Sequence, residues 1–169
     1  MDAPNPLGKD ITLRMFVDSD HAEDKSDRRS RTGFMIFINM SMINWQTKKH
    51  ATVKGAVFGA EFLAMKQGLE ALRGIRFKLR MMGVKIDVPT YVYGDNMYVI
   101  HNTSKPKSVL KNKSNSICYH FVKEVVAMKE CQTTHVPTAR NWADLLTKVM
   151  FGKKRQELVQ GVIFDIYNY

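Results

Sequence analysis

Four short stretches, FVDSD, GAEFLAMK, YGDN and NWADLL, each carry a carboxylate where a predicted element begins or ends. They lie in a chain with 26 Lys and Arg against 16 Asp and Glu, a formal net charge of +10. A strongly basic protein tends to meet a polyanion. Acids gathered inside such a protein repel one another unless a divalent cation joins them. Asp18, Glu61, Asp95 and Asp144 are the candidate acids, and the chemistry that suits them is metal-assisted cleavage of a nucleic-acid backbone. Each also has an ordinary explanation. Asp18 could open a turn, Glu61 could be solvated at the edge of a helix stripe, and Asp95 could cap a helix. Asp144, three residues after Asn141, could complete a capping box. Asp20 lies two residues beyond Asp18, on the same side of an extended chain.

The elements that must position these acids follow from periodicity. ITLRMFVDSD alternates, with Leu13, Met15 and Val17 on one face and Arg14, Phe16 and Asp18 on the other, as a strand does. A charged loop ending at Gly33 leads into GFMIFINM and SMINWQTKK, two further strands with a turn near Asn39. Three strands with short connections predict an antiparallel meander. From Val57 the apolar residues recur every three or four positions to Met82, a long amphipathic helix closed by Gly83. TYVYG is a short strand with Asp95 at its end, followed by a brief helix. SICYHFVKEVVAMKE is a helix, CQTTHVP a strand, and NWADLLTKVM opens another helix. The order β-β-β-α-β-α-α-β-α predicts an α/β fold with a mixed sheet and helices on its faces.

Composition narrows the class. At 169 residues and 44% hydrophobic, the chain reads as one domain with its own core. Residues 1–10 read as a flexible lead-in, 11–150 as the domain, and 151–169 as a C-terminal helix and tail docked on it. No stretch reaches the roughly 20 apolar residues of a membrane span, so no membrane partner is expected. The polar, Pro-broken N-terminus is not a signal peptide. Cys118 and Cys131 form no C-x-x-C pair and read as free thiols of an intracellular, reducing compartment. Trp45 and Trp142 are expected in the core, with packing against a nucleic-acid backbone as the alternative.

The local wording is more specific than the element order. VDSDHAED, RRSRTGF, INWQTKK, EFLAMK, YGDN, YHFVKE and NWADLLTKVM occur in one series between Ile11 and Met150. That series closely resembles the ribonuclease H domain of copia-type LTR retrotransposon Pol polyproteins, whose members read close to VDADWAGD, RRSTSGY, EAEY, CDN, YHFVRE and LADIFTK. The chain departs from the pattern in places. VFGAEF stands for the usual small-residue pair and TEAEY, and GDN stands for CDN. The connection VPTARN is short and lacks the histidine that many ribonucleases H carry before the last acid.

The resemblance implies a ribonuclease H-like fold with a mixed five-stranded sheet, three antiparallel strands then two parallel. It implies that Asp18, Glu61, Asp95 and Asp144 are the catalytic, metal-binding acids. Two Mg²⁺ ions, replaceable by Mn²⁺, would then serve endonucleolytic hydrolysis of the RNA strand of RNA/DNA hybrids during reverse transcription. Asp18 is expected to bridge both ions, with Glu61 and Asp95 on one and Asp144 on the other. A reverse transcriptase domain of the parent polyprotein is the implied partner, and cytoplasmic retroelement particles the implied location. Expected phosphate contacts are Lys25, Arg28, Arg29 and Arg31 in the first loop, and Lys105, Lys107, Lys111 and Lys113 in the basic segment. His120 and His135 are possible accessory residues, with structural roles as the plainer expectation. The competing functional reading is a catalytically weak or inactive nucleic-acid-binding module of the same fold. A DNA-directed nuclease of the same superfamily is a further alternative.

Overall fold

A computed structural model describes residues 11–20, 29–50, 57–105 and 116–163. Three strands come first: β1 (Leu13–Asp20), β2 (Arg31–Ile38) and β3 (Ser41–Lys49). They pair antiparallel, with Asn39 in the left-handed region (φ 54°) at the tight β2–β3 turn. Asn tolerates that conformation better than most residues. Then follow α1 (Val57–Met81), β4 (Thr90–Gly94), α2 (Met97–Ser104), α3 (Ser116–Ala127) and β5 (Cys131–His135). A 3₁₀ turn (Thr138–Arg140), the four-residue α4 (Asp144–Thr147) and α5 (Gly152–Val162) are the last elements among the described residues.

The sheet order is β3-β2-β1-β4-β5, with β4 parallel to β1 and β5 parallel to β4. This is the mixed five-stranded sheet expected from the sequence. Because β1 and β4 are hydrogen-bonded neighbours, the ends that carry Asp18 and Asp95 lie side by side. The alternation in β1 separates two cores. Leu13, Met15 and Val17 pack with Phe62, Met65, Leu69 and Leu72 of α1 and with Val122 of α3. Phe16 points to the other face, stacked on Tyr93 and Trp142 with ring centroids 4.8 and 4.5 Å away, and meets Met35, Phe37 and Ala143. Burial of these apolar side chains, about 1.5–3 kcal/mol each, dominates the stability of the sandwich.

The long helix stops where the sequence predicts. Gly83 takes φ 76°, and Val84 and Gly83 donate backbone hydrogen bonds to Leu79 and Arg80. That closure uses the left-handed conformation glycine adopts without steric cost. Two expectations need correction. The expected burial of Trp45 does not hold: its side chain is 59% exposed on β3, an edge strand of the sheet. The helix opened by NWADLLTKVM is also shorter than that stretch: α4 ends at Thr147, since Lys148 leaves the helical region (φ −113°, ψ 141°), and α5 follows as a separate helix. Leu158 of α5 is buried and Val162 packs against the Phe16–Trp142 cluster. The lead-in 1–10 and the tail 164–169 lie outside the described residues.

Candidate metal centre

β1 delivers Asp18 and β4 delivers the chain to Asp95, one residue past the strand. The next residue, Asn96, caps α2 by accepting from the N–H groups of Tyr98 and Val99. The cap therefore belongs to Asn96. Asp95 instead accepts from Thr138 Oγ1 at 3.0 Å. Glu61 sits in the second turn of α1, between Ala60 and Phe62, both of them fully buried. The sequence put it at the border of the stripe; the structure leaves it 8% exposed. One carboxylate oxygen from each of Asp18, Glu61 and Asp95 lies within 4.8 Å of the others.

Asp144 is not part of that close group of three, but it comes beside it from the far end of the chain and shares the Lys148 ammonium with Asp18 and Asp95. Asn141, wholly buried, accepts from the Ala143 N–H at 3.3 Å, and its Nδ2 donates to the Val17 carbonyl at 3.1 Å. It is a side-chain turn and a tether to β1 rather than the expected helix cap, since Ala143 is the residue preceding α4. Gly33, the register partner of Asp18 on β2, makes room for α4. A Cβ on Gly33 would stand 2.8 Å from both Leu146 Cβ and Thr147 Cγ2. With α4 so close, Thr147 Oγ1 donates to Asp18 Oδ2.

Lys148 stands among the acids. Its ammonium is 2.8 Å from Asp144, 3.3 Å from Asp18 and 3.8 Å from Asp95. Lys154 reaches Asp144 at 3.5 Å. Sequence reasoning named neither lysine. The signal for Lys148 was its spacing, since residues i and i+4 of a helix share a face.

Charge balance follows this geometry. Burial, and then the neighbouring Asp18 and Asp95, push the Glu61 carboxyl up from 4.5 to about 9. Burial also raises Asp18 from 3.8 to about 6, against the opposing pull of Lys148 and Thr147. Burial disfavours the charged form of Lys148, but the hydrogen bond to Asp144 and the fields of Asp18, Asp144 and Asp95 outweigh it and raise its pKa. So one ammonium does not neutralise the group. The donor set is made of carboxylate oxygens, which hard divalent cations such as Mg²⁺ prefer, and it fits such an ion.

Beside the acids lies a cleft of about 400 Å³ lined by Asp20, Arg29, Arg31, Lys49 and residues 145–149. Of the expected phosphate contacts, Arg29 and Arg31 line this cleft, and Lys49 adds a cation that the sequence reading did not single out. Lys105 is exposed at the C-terminal end of α2 and is not among the residues lining that cleft. Lys25, Arg28, Lys107, Lys111 and Lys113 lie outside the described residues. His135 ends β5 opposite Gly94, one strand from Asp95, and is exposed. His120 is exposed on α3 with its ring edge-on to Tyr119. Trp142 is half-buried in the aromatic stack. Neither Cys118 nor Cys131 is in a disulfide. Among the described residues no helix is long and apolar enough to cross a membrane.

No protein-family model matches the chain. Over 141 residues, 83% of its length, it is 28% identical to the "Retrovirus-related Pol polyprotein from transposon RE1" of Arabidopsis thaliana. It is 27% identical over 143 residues to the corresponding polyprotein from transposon TNT 1-94 of Nicotiana tabacum. The matched region spans 10% and 11% of those two relatives. Among solved structures, the N-terminal RNase H domain of rv2228c from Mycobacterium tuberculosis superposes with a TM-score of 0.63 at 14% identity. That match covers 89% of this chain and 97% of the other. LC11-RNase H1, solved in complex with an RNA/DNA hybrid, gives 0.62 at 15% identity, covering 80% and 94%. The chain's homologues are retrovirus-related Pol polyproteins of transposons, as its sequence motifs imply, and its fold is that of RNase H domains.

Proposed function

We propose that this chain is the ribonuclease H unit of a retroelement Pol polyprotein, cutting the RNA strand of RNA/DNA hybrids internally. The observation that carries the reading is the meeting of Asp18, Glu61 and Asp95 at the adjacent ends of β1 and β4 and in the second turn of α1. Asp18, Glu61 and Asp95 would hold one divalent cation, and Asp144 would join Asp18 in holding a second. Such a pair supplies an activated water on one side of the scissile phosphate and charge stabilisation of the leaving oxygen on the other. Mg²⁺ is the expected ion and Mn²⁺ its substitute.

The residues divide the remaining work. Thr147 orients the Asp18 carboxylate, Thr138 orients that of Asp95, and Asn141 fixes α4 against β1. Arg29, Arg31 and Lys49 supply positive charge along the cleft that leads to the acids. Contacts of this kind position a nucleic-acid backbone without reading its bases. A hybrid would be selected by the shape and 2′-hydroxyls of its minor groove. A reverse transcriptase domain of the same polyprotein is the proposed partner.

The test is cleavage of an end-labelled hybrid in Mg²⁺, beside duplex DNA and duplex RNA. The wild-type chain cuts only the RNA strand of the hybrid, and D95N binds the hybrid but does not cut it. Preferential cutting of duplex DNA overturns the substrate assignment. One feature favours a second reading, a hybrid-binding module with weak or no hydrolysis: Lys148 already places a positive charge among the acids. Tight hybrid binding without cleavage in either Mg²⁺ or Mn²⁺ would select that reading.

A further inference from the structure

Lys148 contacts acids from three separate parts of the fold: Asp18 on β1, Asp95 after β4 and Asp144 at the start of α4, the helix that Lys148 follows. Its backbone position follows from α4, which Gly33 and Asn141 hold against the sheet. Two of the acids it touches, Asp18 and Asp95, belong with Glu61 to the group whose carboxylate oxygens lie within 4.8 Å of one another, the spacing a divalent cation would use; the third is Asp144. An ammonium and a divalent cation close to the same oxygens repel each other, so both cannot occupy that space without loss of binding energy. The lysine has somewhere else to go. Its side chain is 23% exposed, carries four rotatable carbons, and borders the cleft with Arg29, Arg31 and Lys49.

We propose that Lys148 is a resident counter-cation: it holds the acids together in the metal-free protein, and divalent binding displaces its ammonium into the adjoining basic cleft. Metal loading is then an exchange of cations rather than the filling of a vacant site. The displaced ammonium joins the cationic wall of the cleft, so metal entry also strengthens the surface offered to a phosphate backbone. This rests on the metal-binding reading given above.

The experiment is calorimetric titration of the full chain with Mg²⁺ alone, in wild type, K148M and K154M. K148M binds Mg²⁺ about tenfold tighter than wild type or more, as expected when one competing charge is removed at short range. Metal-free K148M also melts lower than metal-free wild type and gains more from saturating Mg²⁺. K154M, whose ammonium reaches only Asp144, changes the affinity less. Equal or weaker Mg²⁺ binding by K148M, or equal tightening in K154M, overturns the proposal. Failure of wild type and both variants to bind Mg²⁺ overturns the metal-binding reading itself and this inference with it. A wild-type measurement covers the case in which K148M does not fold. A salt-bridged lysine gives a slowly exchanging ¹⁵N ammonium resonance, and Mg²⁺ should abolish or shift it. A resonance that Mg²⁺ leaves unchanged overturns the exchange.

Discussion

Asn141 Nδ2 donates to the carbonyl oxygen of Val17 across 124 residues of sequence, joining the segment before the last short helix to the central strand. Val17 immediately precedes Asp18, and Asn141 precedes Asp144 by three residues. This hydrogen bond is thus one of the contacts that hold two of the four acids near each other, with the Gly33–α4 contact and the Thr147–Asp18 hydrogen bond. N141A leaves a buried carbonyl without this donor and removes the acceptor for the Ala143 N–H. The expected loss is about 1–3 kcal/mol, read by urea unfolding, together with a fall in hybrid cleavage. Unchanged stability would show that the tether is dispensable.

Gly33 makes a second close contact with the same helix. In G33A the new methyl meets Leu146 and Thr147 at 2.8 Å. Overpacking of this kind costs about 1–3 kcal/mol, and here relief requires α4 to move off the sheet. Turnover should fall with little change in hybrid affinity, since the cationic cleft residues on β2 and β3 stay in place. A variant that loses affinity but keeps its turnover would contradict this.

The raised carboxyls fix a pH dependence of the metal-free protein. Glu61 titrates near 9 folded against 4.5 unfolded, and Asp18 near 6 against 3.8. The folded state therefore holds more protons than the unfolded state across these windows. The stability contributed is fully present below the unfolded values and is lost as pH rises through the folded ones. In chelator, the melting temperature should drop from about pH 5 to pH 9. E61Q should flatten most of that decline above pH 6, and Mg²⁺ should do the same in wild type. A wild-type melting temperature that rises over this interval in chelator would reverse the sign of the argument.

Arg31 is exposed at the start of β2 and lines the cleft beside the acids. R31A should weaken hybrid binding to the same extent for unrelated sequences. It should also reduce the slope of log affinity against log salt by about 0.7–0.9, the loss of one phosphate contact. An unchanged slope would remove Arg31 from the interface.

Much of this architecture was legible because β1 alternates, β2 is a short apolar run and α1 carries a 3.6-residue stripe; β1 and β2 divide their side chains between two cores, and α1 packs its stripe on the first of them. The acids stood out against a basic background. What the sequence hid came from contacts between distant segments. Asn141 read as a cap because capping and tethering use the same residue type. Gly33 read as the end of a loop, although its missing side chain is what seats α4. Trp45 is exposed because of its edge position, which depends on sheet order rather than on local pattern. Lys148 was part of a recognised motif, yet its three acidic partners are known only once β1 and β4 lie side by side.

Synthesis runs from the N-terminus, and α4 comes late in that order. Asp18, Glu61 and Asp95 can therefore meet, as β1, α1 and β4 assemble, before Asn141, Asp144 and Lys148 exist to join them. A chain interrupted before residue 141 would carry three crowded carboxylates with neither the fourth acid nor the ammonium that balances them. Truncation would thus leave an incomplete, electrostatically strained fragment rather than a smaller version of the same site.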